Sequence, residues 1–292
     1  MNRWIRGVAL ACALLALGAT TGCGAESRAD ANADARPAGP SSSAPHTQPQ
    51  PQPSRGEDQD PRAEVEAAYR KWGLTPPAAP PAPPAAKPVE LRAGDGKVPV
   101  VSEIPTKEKI VFLTFDDGAE KDPEFVTMMR ELRIPFTMFL TDAAIRADYG
   151  YFKKLQALGG GVHNHTLTHP DLRTLDASAQ RQEICGQQSR LKDEYGTTPR
   201  LFRPPYGNWN EDTRAAAASC GIEAIVLWRE SMQIKNMQYQ SPTKKLRPGD
   251  IILAHFRGPS ELKGTTITEM TANLLRHIQE QGFTVAALED YL

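Results

Sequence analysis

The chain has 292 residues, enough for one or two domains, and its 34 Lys and Arg against 35 Asp and Glu leave a formal charge of −1 with histidine neutral. That balance gives a nucleic-acid partner no electrostatic support. Of the 25 prolines, 15 fall between Gly24 and Pro99, which separates a proline-rich tail from a piece of 193 residues long enough to bury one core.

Arg3 and Arg6 precede ten apolar residues, Val8 to Leu17, too few to span a bilayer but suited to the apolar stretch of a signal peptide. The following Thr20-Thr21-Gly22-Cys23 resembles a bacterial lipoprotein signal, although Thr20 stands where such signals usually carry Leu. The expectation is a signal peptide over 1–22, removed so that Cys23 carries lipid and anchors the protein to the outer face of the cell membrane. The alternative is plain secretion with cleavage near Gly24 or Ala25. Either reading exports the protein.

Residues 23–100 read as a tether. Residues 24–60 contain Ala, Pro, Ser, Gln, Asp and Gly with little to bury, a disordered composition. A short helix is expected over 61–72, with Asp60 as cap, Pro61 in the first turn and Gly73 at the end. Its Val65, Ala68, Tyr69 and Trp72 share a face that would dock on the domain, lie on cell-wall material, or touch nothing specific. Residues 76–88 (PPAAPPAPPAAKP) are expected as an extended polyproline II spacer.

From residue 101 to 292 strands and helices alternate. Expected strands are Ile110–Phe115, Phe136–Leu140, Val162–Asn164, Leu201–Arg203, Glu223–Trp228, Ile251–His255 and Val285–Leu288. Expected helices are Asp122–Leu132, Phe152–Leu158, Ala177–Tyr195, Glu211–Cys220 and Glu269–Gln281. Continuous apolar strands between helices mean a parallel sheet covered by helices, here a small irregular barrel. Such folds place their sites at strand C-termini, where Asp116, His165, Arg203 and His255 stand. Cys185 and Cys220 remain after Cys12 leaves with the signal and Cys23 takes lipid, and in an oxidising compartment they can pair.

Asp116-Asp117-Gly118 ends the first long strand, and two adjacent carboxylates need a positive partner. His165 and His169, four apart, would present two imidazoles on one side of a helical turn. Two histidines and a carboxylate suit Zn²⁺ or a similar divalent ion with open positions for water and substrate. His163, two residues from His165, points to the opposite side of an extended strand and is left out of the ligand set.

These residues carry a family resemblance over roughly Lys107 to Leu292. Thr114-Phe115-Asp116-Asp117-Gly118, His165-Thr166-Leu167-Thr168-His169-Pro170, Arg203-Pro204-Pro205-Tyr206-Gly207 and Leu253-Ala254-His255 resemble, in order, four of the five motifs of the polysaccharide deacetylases, the NodB-homology domain of carbohydrate esterase family 4. The resemblance implies a distorted (β/α)7 barrel and metal-dependent removal of acetyl groups, usually from N-acetylated sugars. It implies Asp117, His165 and His169 as ligands of a divalent ion, Zn²⁺ first and Co²⁺ or another next. It implies Asp116 as the base that takes a proton from water and Arg203 as its partner, by a bidentate pairing that Lys would not give. It also implies the Tyr206 N–H as an oxyanion donor, His255 as the acid for the leaving amine, and Leu253 at the acetyl methyl.

The fourth motif departs. Where the family has Asp-x-x-Asp-Trp, this chain has Trp228-Arg229-Glu230-Ser231-Met232. Glu230 is expected to replace the Asp, orienting His255 or pairing with an arginine; Trp228 either lines the methyl pocket or is structural. Ser231–Leu246 is expected as an unusual loop beside the site. The implied function is N-deacetylation of an extracellular or cell-wall polysaccharide by a monomer: peptidoglycan first, then chitin-like or poly-N-acetylglucosamine chains. An O-acetyl xylan esterase and an inert glycan-binding lipoprotein are the alternatives.

Overall fold

The computed structural model describes residues 61–91 and 97–292. The expected signal peptide, Cys23 and residues 24–60 lie outside them.

Helix α1 (Pro61–Lys71) forms as its sequence predicts, and it docks on the domain. Tyr69 and Leu74 are buried in the main core, the Tyr69 hydroxyl donates to the Leu132 carbonyl (3.2 Å), and Trp72 Nε1 donates to Glu131 (2.7 Å). The proline-rich residues that follow lie along the domain instead of standing off as a spacer. Gln279 and Thr284 side chains donate to the carbonyls of Thr75 and Ala78, and Lys87 donates to that of Glu289.

After β1 (Val100–Val101) comes β2 (Ile110–Asp117), buried over its first seven residues. Helix α2 (Pro123–Leu132) is started by Asp122, whose side chain accepts from the Glu124 N–H, and by Pro123; it turns Phe125, Met128, Met129 and Leu132 inward. The chain continues through β3 (Thr137–Leu140), α3 (Asp142–Ile145), α4 (Tyr149–Ala157) and β4 (Gly161–Asn164). Next come α5 (Ala177–Tyr195), β5 (Leu201–Phe202), α6 (Glu211–Ser219) and β6 (Ala224–Val226). Two short strands follow, β7 (Glu230–Met232) and β8 (Met237–Tyr239), then β9 (Ile251–His255), α7 (Ile267–Glu280) and β10 (Thr284–Ala286). A Thr266/Glu269 capping box starts α7, which buries Met270, Leu274 and Ile278 on one stripe.

The sheet runs β1-β6-β5-β4-β3-β2-β9-β7-β8, and β10 joins β2 at Ile110–Phe112. Every named pairing is parallel except β7 with β8. This curled, helix-covered sheet is the distorted (β/α)7 barrel that the motifs imply. The expected loop after Trp228 is an antiparallel hairpin that extends the sheet beyond β9. Cys185 of α5 and Cys220, at the end of α6, form a disulfide with Cα atoms 5.0 Å apart.

Candidate functional site

Four strand ends deliver the site. Asp116 and Asp117 close β2, His165 follows β4, Arg203 follows β5, and His255 closes β9 opposite Asp116. All of these but Arg203 line a cleft of about 290 Å³ with His169, Tyr206, Trp228 and Leu253, and the hairpin adds Ser231, Gln233 and Gln238. Arg203 alone among these residues is absent from the cleft wall, because it is fully buried beneath it.

The ligand set comes together, though not on a helix. His165 and His169 sit on an irregular segment in which Thr166 (φ 72°) and His169 (φ 62°) hold left-handed backbone. The Asn164 side chain accepts from the Thr166 N–H (2.9 Å), and the Thr166 hydroxyl accepts from the His169 N–H (3.1 Å). This local turn brings the imidazoles edge to face, ring centroids 4.9 Å apart. Asp117 (φ 72°) and Tyr206 (φ 61°) are left-handed too. Gly118 (φ 96°) has no room for a Cβ, which would strike the side chain of Ile145.

One ligand atom each from Asp117, His165 and His169 lies within 4.8 Å of the others. Asp117 Oδ1 is 3.5 Å from His165 Nε2 and 3.2 Å from His169 Nε2, yet it is buried without a well-formed hydrogen bond. His165 Nδ1 lies 2.7 Å from the Arg203 carbonyl. A carbonyl only accepts, so Nδ1 carries the proton and Nε2 offers a lone pair toward Asp117. An orphaned carboxylate oxygen facing two imidazole nitrogens is a donor set that fits a divalent cation. Burial raises the Asp117 pKa, but the two imidazoles outweigh it and hold the carboxyl well below the usual carboxylate range. Burial works against a charged His165, but Asp116 and Asp117 lift its pKa above the ordinary histidine value. A proton on Nε2 therefore competes with a cation for the same position.

Asp116 is held from beneath. Arg203 Nη1 donates to Asp116 Oδ1 (2.7 Å) and to the Thr114 hydroxyl (2.8 Å). Its Nε and Nη2 donate to the carbonyls of Val226 and Leu227. The expected bidentate pairing is thus a single contact, because the other donors are engaged by backbone. Burial lowers the Arg203 pKa and Asp116 opposes that shift; the guanidinium also stacks 4.2 Å from the Phe139 ring centroid. This leaves Asp116 Oδ2 pointing toward the cleft, 3.7 Å from His165 Nε2.

Burial pushes the His255 pKa down to about 4 against the pull of Asp116 and Asp117, so the imidazole is neutral at pH 7. Glu230 does not orient it. Ser231 faces the cleft, and its strand neighbour Glu230 does not; Glu230 instead accepts from the Gln240 N–H and lies beside Asp250. No ion pair joins Glu230 to an arginine among the described residues. The Trp228 ring packs where Gly207 has no side chain, and it lines the cleft. Tyr206, 63% exposed, is the exposed large hydrophobic residue among those described, its ring edge-on to His169 at 4.8 Å.

His163 stands apart from the cluster of Asp117, His165 and His169. Its Nδ1 accepts from the Leu201 N–H and its Nε2 faces Glu289 at 3.2 Å. Sequence reasoning missed Arg257, whose Nη2 is 4.0 Å from Asp117 Oδ2. Its place two residues beyond His255, at the same strand end, was the available signal. It also missed Gln233 and Gln238, for which a hairpin had first to be seen.

A family model described as polysaccharide deacetylase matches residues 103–225. An uncharacterized protein of Streptomyces coelicolor is 44% identical over 195 residues, covering 66% of this chain and 77% of that protein. A chitooligosaccharide deacetylase of a Bradyrhizobium species is 28% identical over 196 residues, covering 61% and 88%. The peptidoglycan-N-acetylmuramic acid deacetylase of Bacillus subtilis is 27% identical over 199 residues, covering 64% and 73%. The strand-end residues meet in one cleft and these likenesses run along the same barrel: the chain belongs to the polysaccharide deacetylase family.

Proposed function

We propose that this protein is a metal-dependent hydrolase that removes N-acetyl groups from a cell-wall glycan, peptidoglycan first among the candidates, while anchored outside the membrane by lipid on Cys23. The observation that carries the reading is the buried Asp117 Oδ1, short of hydrogen-bond donors and facing the Nε2 atoms of His165 and His169. The anchor rests on the N-terminal sequence.

When held by Asp117, His165 and His169, a divalent ion such as Zn²⁺ supplies Lewis-acid polarisation of the acetyl carbonyl and lowers the pKa of a water. Asp116, fixed through Oδ1 by Arg203, takes the proton of the attacking water at Oδ2. The water oxygen adds to the carbonyl carbon, and the Tyr206 N–H stabilises the charge that develops on the acetyl oxygen. Leu253 and Trp228 border the methyl group. The C–N bond then breaks as His255 protonates the leaving amine. His255 is neutral at the outset, so the proton it passes on is acquired during turnover, and Asp116, its register partner on β2, is the residue that holds one.

The test is acetate release from purified peptidoglycan, chitooligosaccharides, poly-N-acetylglucosamine and acetylated xylan, with and without chelator. Release from an N-acetylated glycan, abolished by chelator and restored by Zn²⁺ or Co²⁺, is expected. Asp116→Asn should keep metal content and lose turnover on the order of 10²–10⁴-fold. Chelator-resistant release, or release from xylan alone, would refute the proposal.

A further inference from the structure

Arg257 takes no part in the chemistry above. It follows β9 by two residues, lines the cleft beside Asp117, and keeps its side chain 39% exposed. Two acids lie near it, Glu261 at 3.7 Å from Nε and Asp117 at 4.0 Å from Nη2, and both are beyond hydrogen-bond reach. Its Nε is buried without a hydrogen-bond partner, and among the described residues its guanidinium donates no hydrogen bond at all. Arg203, by contrast, uses Nε, Nη1 and Nη2 on four acceptors.

A fixed fork of unmatched donors at the wall of a glycan cleft is suited to an oxyanion, above all a carboxylate that accepts two parallel N–H bonds. Neutral sugar hydroxyls do not match that geometry or charge. The nearby acids do not remove the demand: Asp117 turns Oδ1 toward the two imidazoles, and Glu261 is itself half exposed to solvent. The neighbouring cleft wall from the hairpin is uncharged, with Ser231, Gln233 and Gln238. No other described acid lies within ion-pair distance of Arg257.

We propose that Arg257 determines specificity by pairing with a carboxylate on the glycan, so that the preferred substrate is an acidic N-acetylated glycan, one carrying a carboxyl substituent on or next to the sugar that bears the acetamide. This rests on the glycan reading of the cleft, and it separates lactyl-bearing peptidoglycan chains from neutral chitin-like ones.

The test measures binding by the full chain in the presence of chelator, so that it does not depend on turnover. The probes are a tetrasaccharide alternating N-acetylglucosamine with N-acetylmuramic acid, its carboxyl methyl ester, and chitotetraose. Wild type should bind the acid roughly tenfold or more tightly than the ester, as befits a charge-assisted pair. Arg257→Gln should bring the ratio to about one, and Arg257→Lys, which keeps charge without the fork, should fall between. Far-ultraviolet circular dichroism checks folding, and if Arg257→Gln is unfolded then the wild-type and Arg257→Lys ratios decide. A wild-type ratio near one, no binding of the acid, or full discrimination by Arg257→Gln would overturn the proposal. Acid preference without acetate release from any glycan would sink the deacetylase reading alone. Acetate release with equal KM for acid and ester would sink this one alone.

Discussion

At the scale of the residue, chemistry in this barrel is governed by what each carboxylate meets. Asp116 meets Arg203 and Asp117 meets two imidazoles, whereas Glu230 meets another acid. Burial first, and Asp250 second, push the Glu230 pKa from 4.5 up to about 7, and its Oε1 has no partner. The native state therefore holds a proton that the unfolded chain has lost. This stabilising contribution is complete below pH 4.5 and disappears as pH rises through the raised titration that Glu230 shares with Asp250. Glu230→Gln, which keeps the shape and cannot ionise, should be more stable than wild type at pH 8 and gain little at pH 4. Urea unfolding of both proteins at the two pH values checks this: an equal difference at each would mean that Glu230 does not titrate there.

At the scale of the element, the disulfide ties α5 to α6, which flank β5 and so bear on the strand that delivers Arg203. In the chain-entropy account a crosslink spanning 35 residues is worth about 4 kcal/mol, and measured losses are often smaller. Cys185→Ser with Cys220→Ser should lower stability by roughly 2–4 kcal/mol while leaving activity at 25 °C within about twofold, read by thermal unfolding and acetate release. Strands and helices with strong patterns were legible from the chain: Ile251–His255 and Ala177–Tyr195 form with the expected bounds, because a continuous apolar run and capped helical periodicity leave no competing arrangement. The β7–β8 hairpin was not, since its turn, Gln233 to Asn236, contains neither glycine nor proline and its strands have three residues each. The identities of the metal-binding candidates were legible and their setting was not. Spacing of four suggested a helical turn, whereas Asn164 and the Thr166 hydroxyl satisfy the backbone in another way. Arg257 carried only its position two residues beyond His255; what marks it is a guanidinium without a hydrogen-bond acceptor in three dimensions.

At the scale of the whole molecule, composition misjudged where the domain ends. A proline- and alanine-rich stretch reads as a spacer because it cannot form its own core, but it can still cover another's. Tyr69 and Leu74 complete the main core, and Val89 and Leu91 pack on a second cluster. A chain beginning at Pro61 should be as stable as the full chain. One beginning at Lys97 should lose roughly 3–6 kcal/mol from the burial of Tyr69 and Leu74, or about 6–24 °C in Tm. It would also expose Leu132, Ile134, Leu275 and Phe283, which line the groove covered by residues 76–80, the strap, and should tend to associate. Equal melting temperatures for the two truncations would show that the strap adds no stability.

The left-handed residues around the cleft have a bearing on how the protein would evolve or be engineered. Asp117, Thr166, His169 and Tyr206 each hold a conformation that disfavours a side chain by about 1–2 kcal/mol, so several kcal/mol of possible stability are forgone within one small region. A lineage no longer selected for turnover would gain robustness by drifting to glycine or asparagine at these positions. A thermostabilising screen scored on folding alone would reward the same changes, and would dismantle the cleft while appearing to improve the protein.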